Sequence, residues 1–84
     1  MHKRHQIKID RALFQDLRLG RKTAEVRKDD RNYQVGDILI IYPFDKETGK
    51  PDGVDFVCRE ITHKLSGGQF GIEQGYCLLS IKKA

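Results

Sequence analysis

The sequence predicts an α+β fold: a small β-barrel of about five strands with one main helix after the first strand. Three observations lead there. Several short stretches alternate polar and apolar residues, or run apolar between turn residues, as strands do. One stretch, placed after the first of them, repeats apolar residues at helical spacing. The third is length: 84 residues make a single domain, 1–84, and short strands on a short chain hide their edges best by curling together.

Residues 4–9, Arg-His-Gln-Ile-Lys-Ile, alternate and read as the first strand. Asp10 suits a helix N-cap, because its carboxylate accepts from orphan amides. Leu13, Phe14 and Leu17 then form one apolar stripe on a helix of about three turns. Gly20 is a natural terminator, and Arg18, Arg21 and Lys22 complement the negative helix end. Thr23 to Lys28 is the second strand. Asp29 to Asn32 is a polar loop, and Gln34-Val35-Gly36-Asp37 is a turn. It launches Ile38 to Tyr42, a run apolar on both faces and therefore a central strand. Phe44 to Gly53 holds a proline, two glycines and several charges and reads as an exposed hairpin loop. Val54 to Leu65 is a long alternating strand, Ser66 to Gly71 a flexible loop, and Tyr76 to Ile81 the closing strand.

Composition narrows the function classes. No apolar run approaches the length of a membrane span and no signal-peptide pattern is present, which reads as a cytoplasmic protein with no membrane partner. Cys58 and Cys77 are isolated in mixed apolar strands and read as reduced core residues. His2, His5 and His63 have no ligand spacing with them, so neither a metal nor another cofactor is expected. Charge is uneven. Residues 1–31 carry ten Lys/Arg against five Asp/Glu, whereas the rest of the chain is nearly neutral. A basic N-terminal third suits attraction to phosphate, although an excess of that size also serves solubility alone.

The densest chemistry lies in Gly20-Arg21-Lys22-Thr23-Ala24-Glu25-Val26-Arg27. Strand alternation puts Thr23, Glu25 and Arg27 on one face and Ala24 and Val26 on the other, which predicts a polar face backed by an apolar one. A carboxylate among cations can recognise a polar or base-like ligand. It can equally be an ion-pair ladder on a solvated face.

The helix followed by Gly20-x-Lys22-x-x-Glu25-x-Arg27, with Val35-Gly36-Asp37 opening an apolar strand, resembles the ASCH superfamily (activating signal cointegrator homology). The likeness extends further with a small bacterial and phage subgroup of uncharacterised domains. It includes a His near the start (His2 or His5), the E-x-R-K-x-D-R stretch from Glu25 to Arg31, a G-G-x-F-G loop (Gly67, Gly68, Phe70, Gly71) and a terminal G-Y-x-x-x-S-I strand (Gly75, Tyr76, Ser80, Ile81). The resemblance implies a PUA-like β-barrel with a basic cleft beside the helix and motif strand, binding RNA or a nucleotide-like ligand. It also implies an alternative, since some small members are amidohydrolases that remove an acyl group from N4-acetylcytidine. Those use a Lys and a Thr of the motif and a later Glu. Lys22 matches the Lys, Glu25 stands at the Thr position, and Thr23 is not aligned with it. A protein-interaction module using the same cleft is a third reading.

The expected binding residues are Lys22, Glu25 and Arg27, with Arg21, Lys28 and Arg31 as electrostatic support. Were the chain a hydrolase, the catalytic candidates are Lys22, Thr23 and Glu25. Tyr33, Tyr42, Phe44, Phe70 and Tyr76 are the aromatics able to stack on a base, most of them expected in the core; Tyr33 and Phe70, in polar or glycine-rich loops, are the better candidates for exposure, and Tyr76 and Phe14 read as packing residues. The backbone amides around Gly67-Gly68 could form an anion nest or simply position the last strand.

Overall fold

Six strands and one helix follow one another in the computed structural model, which describes residues 2–84. They are β1 (Arg4–Asp10), α1 (Arg11–Arg18), β2 (Ala24–Lys28), β3 (Ile38–Asp45), β4 (Lys50–Pro51), β5 (Val57–Ser66) and β6 (Tyr76–Lys83). One sheet contains all six strands in the order β1-β3-β5-β6-β2, with β4 paired to β3. Only β1 and β3 run parallel; the other pairs are antiparallel.

The sheet curls into an open half-barrel, not a closed one. A break in register between Ile61 and His63 of β5 marks a bulge, which sharpens local twist. It also shifts the alternation, so that Arg59 and Ile61 face inward before it and Lys64 after it. The edge strands β1 and β2 come to face each other without pairing. Two arginine side chains cross between them: Arg27 Nη1 donates to Lys8 O at 2.9 Å and Arg31 Nη1 to Gln6 O. Free edge carbonyls are thereby satisfied without backbone pairing.

Inside the curl lie Ile7 and Ile9 of β1, Leu39 and Ile41 of β3, Ile61 of β5, and Cys77, Leu79 and Ile81 of β6. Each large aliphatic contributes roughly 1.5–3 kcal/mol by leaving water. Phe14 and Leu17 of α1 join the same core. Asp10 caps the helix as expected, accepting from Ala12 N at 3.0 Å. Gly20 ends it at φ +79, a conformation other residues rarely adopt.

Several expectations need correction. The helix has eight residues, about two turns and not three, and Leu13 is exposed, so the buried stripe is Phe14 and Leu17 alone. β3 continues through Pro43 and Phe44 to Asp45, inside the stretch expected to be loop, and β5 begins at Val57, not Val54. Residues 52–56 form an arm instead: Asp52 and Asp55 pair with Arg11 and Arg18, each at 3.3 Å, and Val54 projects into solvent. Tyr33, a candidate for exposure and stacking, is buried at 1% with its ring edge-on to His5. Tyr76, expected to pack, is more than a third exposed.

Two buried polar groups were invisible in the sequence. Arg59 reaches from β5 to the end of α1 and donates to Leu17 O at 2.7 Å, placing a cation at the negative helix terminus. His5 is buried and bonds through Nε2 to Asp37 Oδ2 at 2.8 Å.

Candidate functional site

The seam between β1 and β2 is the candidate site. It opens as a cleft of about 340 Å³. Lys8, Ile9 and Asp10 of β1 form one wall and Glu25, Val26, Arg27 and Lys28 of β2 the other; Leu13, Phe44 and Tyr76 complete it. It exists because β2 pairs only with β6 and β1 only with β3.

The alternation of β2 is as expected, but its polar face points inward. Glu25 lies opposite Leu79 and Arg27 opposite Cys77, both core residues of β6, whereas Val26 is 55% exposed. Glu25 is only 7% exposed. Its Oε2 is buried with no hydrogen-bond partner among the described residues, and its Oε1 lies 3.8 Å from Lys22 Nζ. Lys22 spends its ammonium on Ala24 O, and Arg27 spends its guanidinium on Lys8 O. Burial pushes the Glu25 carboxyl above its ordinary 4.5, and the nearby charges of Lys22 and Arg27 only partly offset this.

That has a measurable consequence. A raised carboxyl pKa means that the ionised form is disfavoured by folding, so this group's contribution is best below pH 4.5 and worsens as pH rises through the folded value. Glu25→Gln is therefore expected to stabilise the protein by about 1 kcal/mol at pH 7, since Lys22 and Arg27 keep their carbonyl partners. Thermal melts from pH 4 to 8 should show a gain of roughly 4–8 °C at neutral pH that closes towards pH 4. A loss of stability at pH 7 would contradict it.

The other expected residues divide. Lys28 is exposed and lines the cleft. Arg31 is engaged at the β1 edge, and Arg21 pairs loosely with Asp16 at 3.7 Å on the surface, outside the cleft lining. Thr23 is exposed just before β2, its carbonyl accepting from Ile81 N. Tyr33 is core, and Phe70 stands 84% exposed at the tip of the β5–β6 loop, apart from the cleft lining. The amides of Gly67 and Gly68 donate to Tyr76 O and Ile72 O, so they are not free for an anion.

The cleft also gathers Lys8, which the sequence did not single out, with two of the candidate stacking aromatics, Phe44 and Tyr76. Lys8 holds its ammonium 4.8 Å over the Phe44 ring. With Tyr76 beside Lys28, the rim carries a cation and an aromatic on each side. Lys8 sits on a strand whose neighbours in sequence say nothing of β2, so no local signal marks it.

Two other hollows are less suited to chemistry. One of about 310 Å³ at the start of α1 holds Arg11 and Lys46, but both face carboxylates, Asp52 and Asp10. A larger one of about 610 Å³ lies against Ile40, Tyr42, Val54 and Phe56 and contains no cation. No helix among the described residues is long and apolar enough to cross a membrane.

The chain is 45% identical over 42 residues to the "Uncharacterized 12.9 kDa protein in GpA 3'region" of Escherichia phage P2. The match covers 50% of this chain and 38% of that protein, so the chain spans well under half the length of its relative. A family model, described as a domain of unknown function (DUF3850), matches residues 4–81, from the first residue of β1 into the last strand. With nearly every element of the fold inside that match, the chain belongs to the DUF3850 family.

Proposed function

We propose that the seam cleft binds RNA or a nucleotide-like ligand, in the manner of a PUA-like barrel of the ASCH type. The observation that carries this is Glu25, a buried carboxylate with an unanswered oxygen in the lining of a cleft whose rim bears Lys8 and Lys28. Lysines suit phosphate as mobile point charges, and a carboxylate suits the N–H groups of a base edge. Phe44 and Tyr76 supply faces for packing. The amidohydrolase alternative draws less support, since the Thr23 hydroxyl is not part of the cleft lining and Lys22 is turned to a backbone carbonyl.

Affinity for a single-stranded RNA oligonucleotide, followed by fluorescence anisotropy from 50 to 200 mM salt, tests the proposal. The logarithm of affinity is expected to fall with the logarithm of salt by roughly 0.7 per phosphate neutralised. Lys8→Ala with Lys28→Ala should weaken binding alike for all sequences and reduce that slope by about 1.4. A salt-independent signal, or no binding at low salt, would contradict the proposal. Release of acetate from N4-acetylcytidine that disappears in Lys22→Ala would put the hydrolase first.

A further inference from the structure

Glu25 lines the cleft, and its carboxylate is satisfied by no group of the described chain. Oε2 has no partner, and Oε1 is farther from Lys22 Nζ than a hydrogen bond reaches. The two nearest cations are already committed to backbone carbonyls. We propose that this carboxylate receives the Watson–Crick edge of an unpaired guanine, an inference that rests on the RNA-binding reading above.

An ionised carboxylate only accepts, and it has two oxygens to fill. Guanine alone among the four bases offers two adjacent donors on one edge, N1–H and N2–H. Cytosine and adenine set one donor beside an accepting ring nitrogen, which would oppose the second oxygen. Uracil sets one donor between two carbonyl oxygens. Guanine therefore matches both oxygens with parallel bonds, the geometry that makes forked donors strong partners for carboxylates. Oε2 is buried, so the carboxylate meets both donors by turning about its last torsion, which is broad in Glu. The two bonds also favour the ionised form, offsetting the burial that opposes it.

The surroundings fit the same ligand. At about 340 Å³ the cleft is at the small end for ligand sites, which span roughly 300–1,000 Å³. Leu13, Phe44 and Tyr76 pack against a flat ring, and Lys8 and Lys28 stand where the flanking phosphates leave. Because a paired guanine has already spent this edge, the site selects single strands.

The test uses RNA hexamers of uridine with one central position varied among G, A, C, U and inosine, which lacks the 2-amino group. At low salt the G hexamer is expected to bind tighter than the A, C and U hexamers by roughly tenfold or more, with inosine between. Annealing the G hexamer to its complement should abolish the preference. Glu25→Gln, shown to be folded by thermal melting, should bind all five hexamers alike. Free GMP that competes as well as the hexamer would assign the site to a nucleotide, and a hexamer that GMP cannot displace would assign it to RNA; both support the guanine edge. Equal affinity for all five hexamers in the unmodified protein, or a G preference that survives Glu25→Gln, overturns the inference and leaves the RNA reading standing. Failure of every hexamer to bind removes the RNA reading itself.

Discussion

Asp37→Ala is expected to cost about 3–5 kcal/mol, a large share of the roughly 5–10 kcal/mol that holds a domain of this size together. Asp37 is 2% exposed and accepts from Lys3 N at 3.0 Å, Gln34 N at 3.1 Å and His5 Nε2 at 2.8 Å. Truncation leaves three donors without their acceptor, the His5 ring buried and the Lys3 and Gln34 amides partly so, and each unpaired group keeps its desolvation cost. Burial alone would push the Asp37 carboxyl up, but the hydrogen bonds from Lys3, His5 and Gln34 outweigh it and hold it below its ordinary 3.8. A depressed carboxyl pKa contributes stability that is complete above the unfolded value and is lost as pH falls through the folded one. The gap between the two proteins should therefore be full from pH 5 to 7 and shrink below about pH 3.8. Urea denaturation at pH 7 and pH 3 measures it; a gap under 1 kcal/mol at pH 7, or one that grows in acid, would contradict the network's role.

Gly67→Ala carries the next largest effect, about 3 kcal/mol, the upper end of the overpacking range. A β-carbon there would run into the Glu73 carbonyl oxygen and lie 2.6 Å from Tyr76 O. Both are backbone atoms and neither can swing away. Gly67 N also donates to Tyr76 O at 2.7 Å, the bond that closes the loop at the start of β6. Opening this loop loosens β6, which pairs with both β5 and β2. Gly71→Ala provides the contrast. Its site is open and only its φ of +76 resists a side chain, so a cost of about 1–2 kcal/mol is expected. Comparable melting temperatures for the two variants would show that the close approach at Gly67 is not what holds the loop.

How much of this was legible depends on range along the chain. The Asp10 cap, the Gly20 terminator and the central place of β3 were readable because each follows from neighbours in sequence. The two-faced character of β2 was readable too, but not which face lies inside. Alternation defines two faces and leaves their orientation open, and the rule that polar residues face water fails at Glu25 and Arg27 because they border an unclosed seam. The curled sheet was readable but its degree of closure was not: whether β1 and β2 pair depends on curl across four other strand boundaries and on the bulge in β5. Tyr33 sat in a polar stretch, yet its ring is enclosed by packing on His5 from a strand nearly thirty residues earlier. Lys8 joined the site by the same long-range approach.

The central claim is that the seam between β1 and β2 is where RNA sits. Amide and side-chain NMR spectra of labelled protein, titrated with a single-stranded RNA hexamer at low salt, test it most directly. The account predicts the largest shifts at Lys8, Glu25, Arg27, Lys28 and Tyr76, with Ile40, Tyr42, Val54 and Phe56 on the outer hollow unmoved. Shifts concentrated on that outer hollow, or spread evenly over the surface lysines with the seam silent, would contradict it.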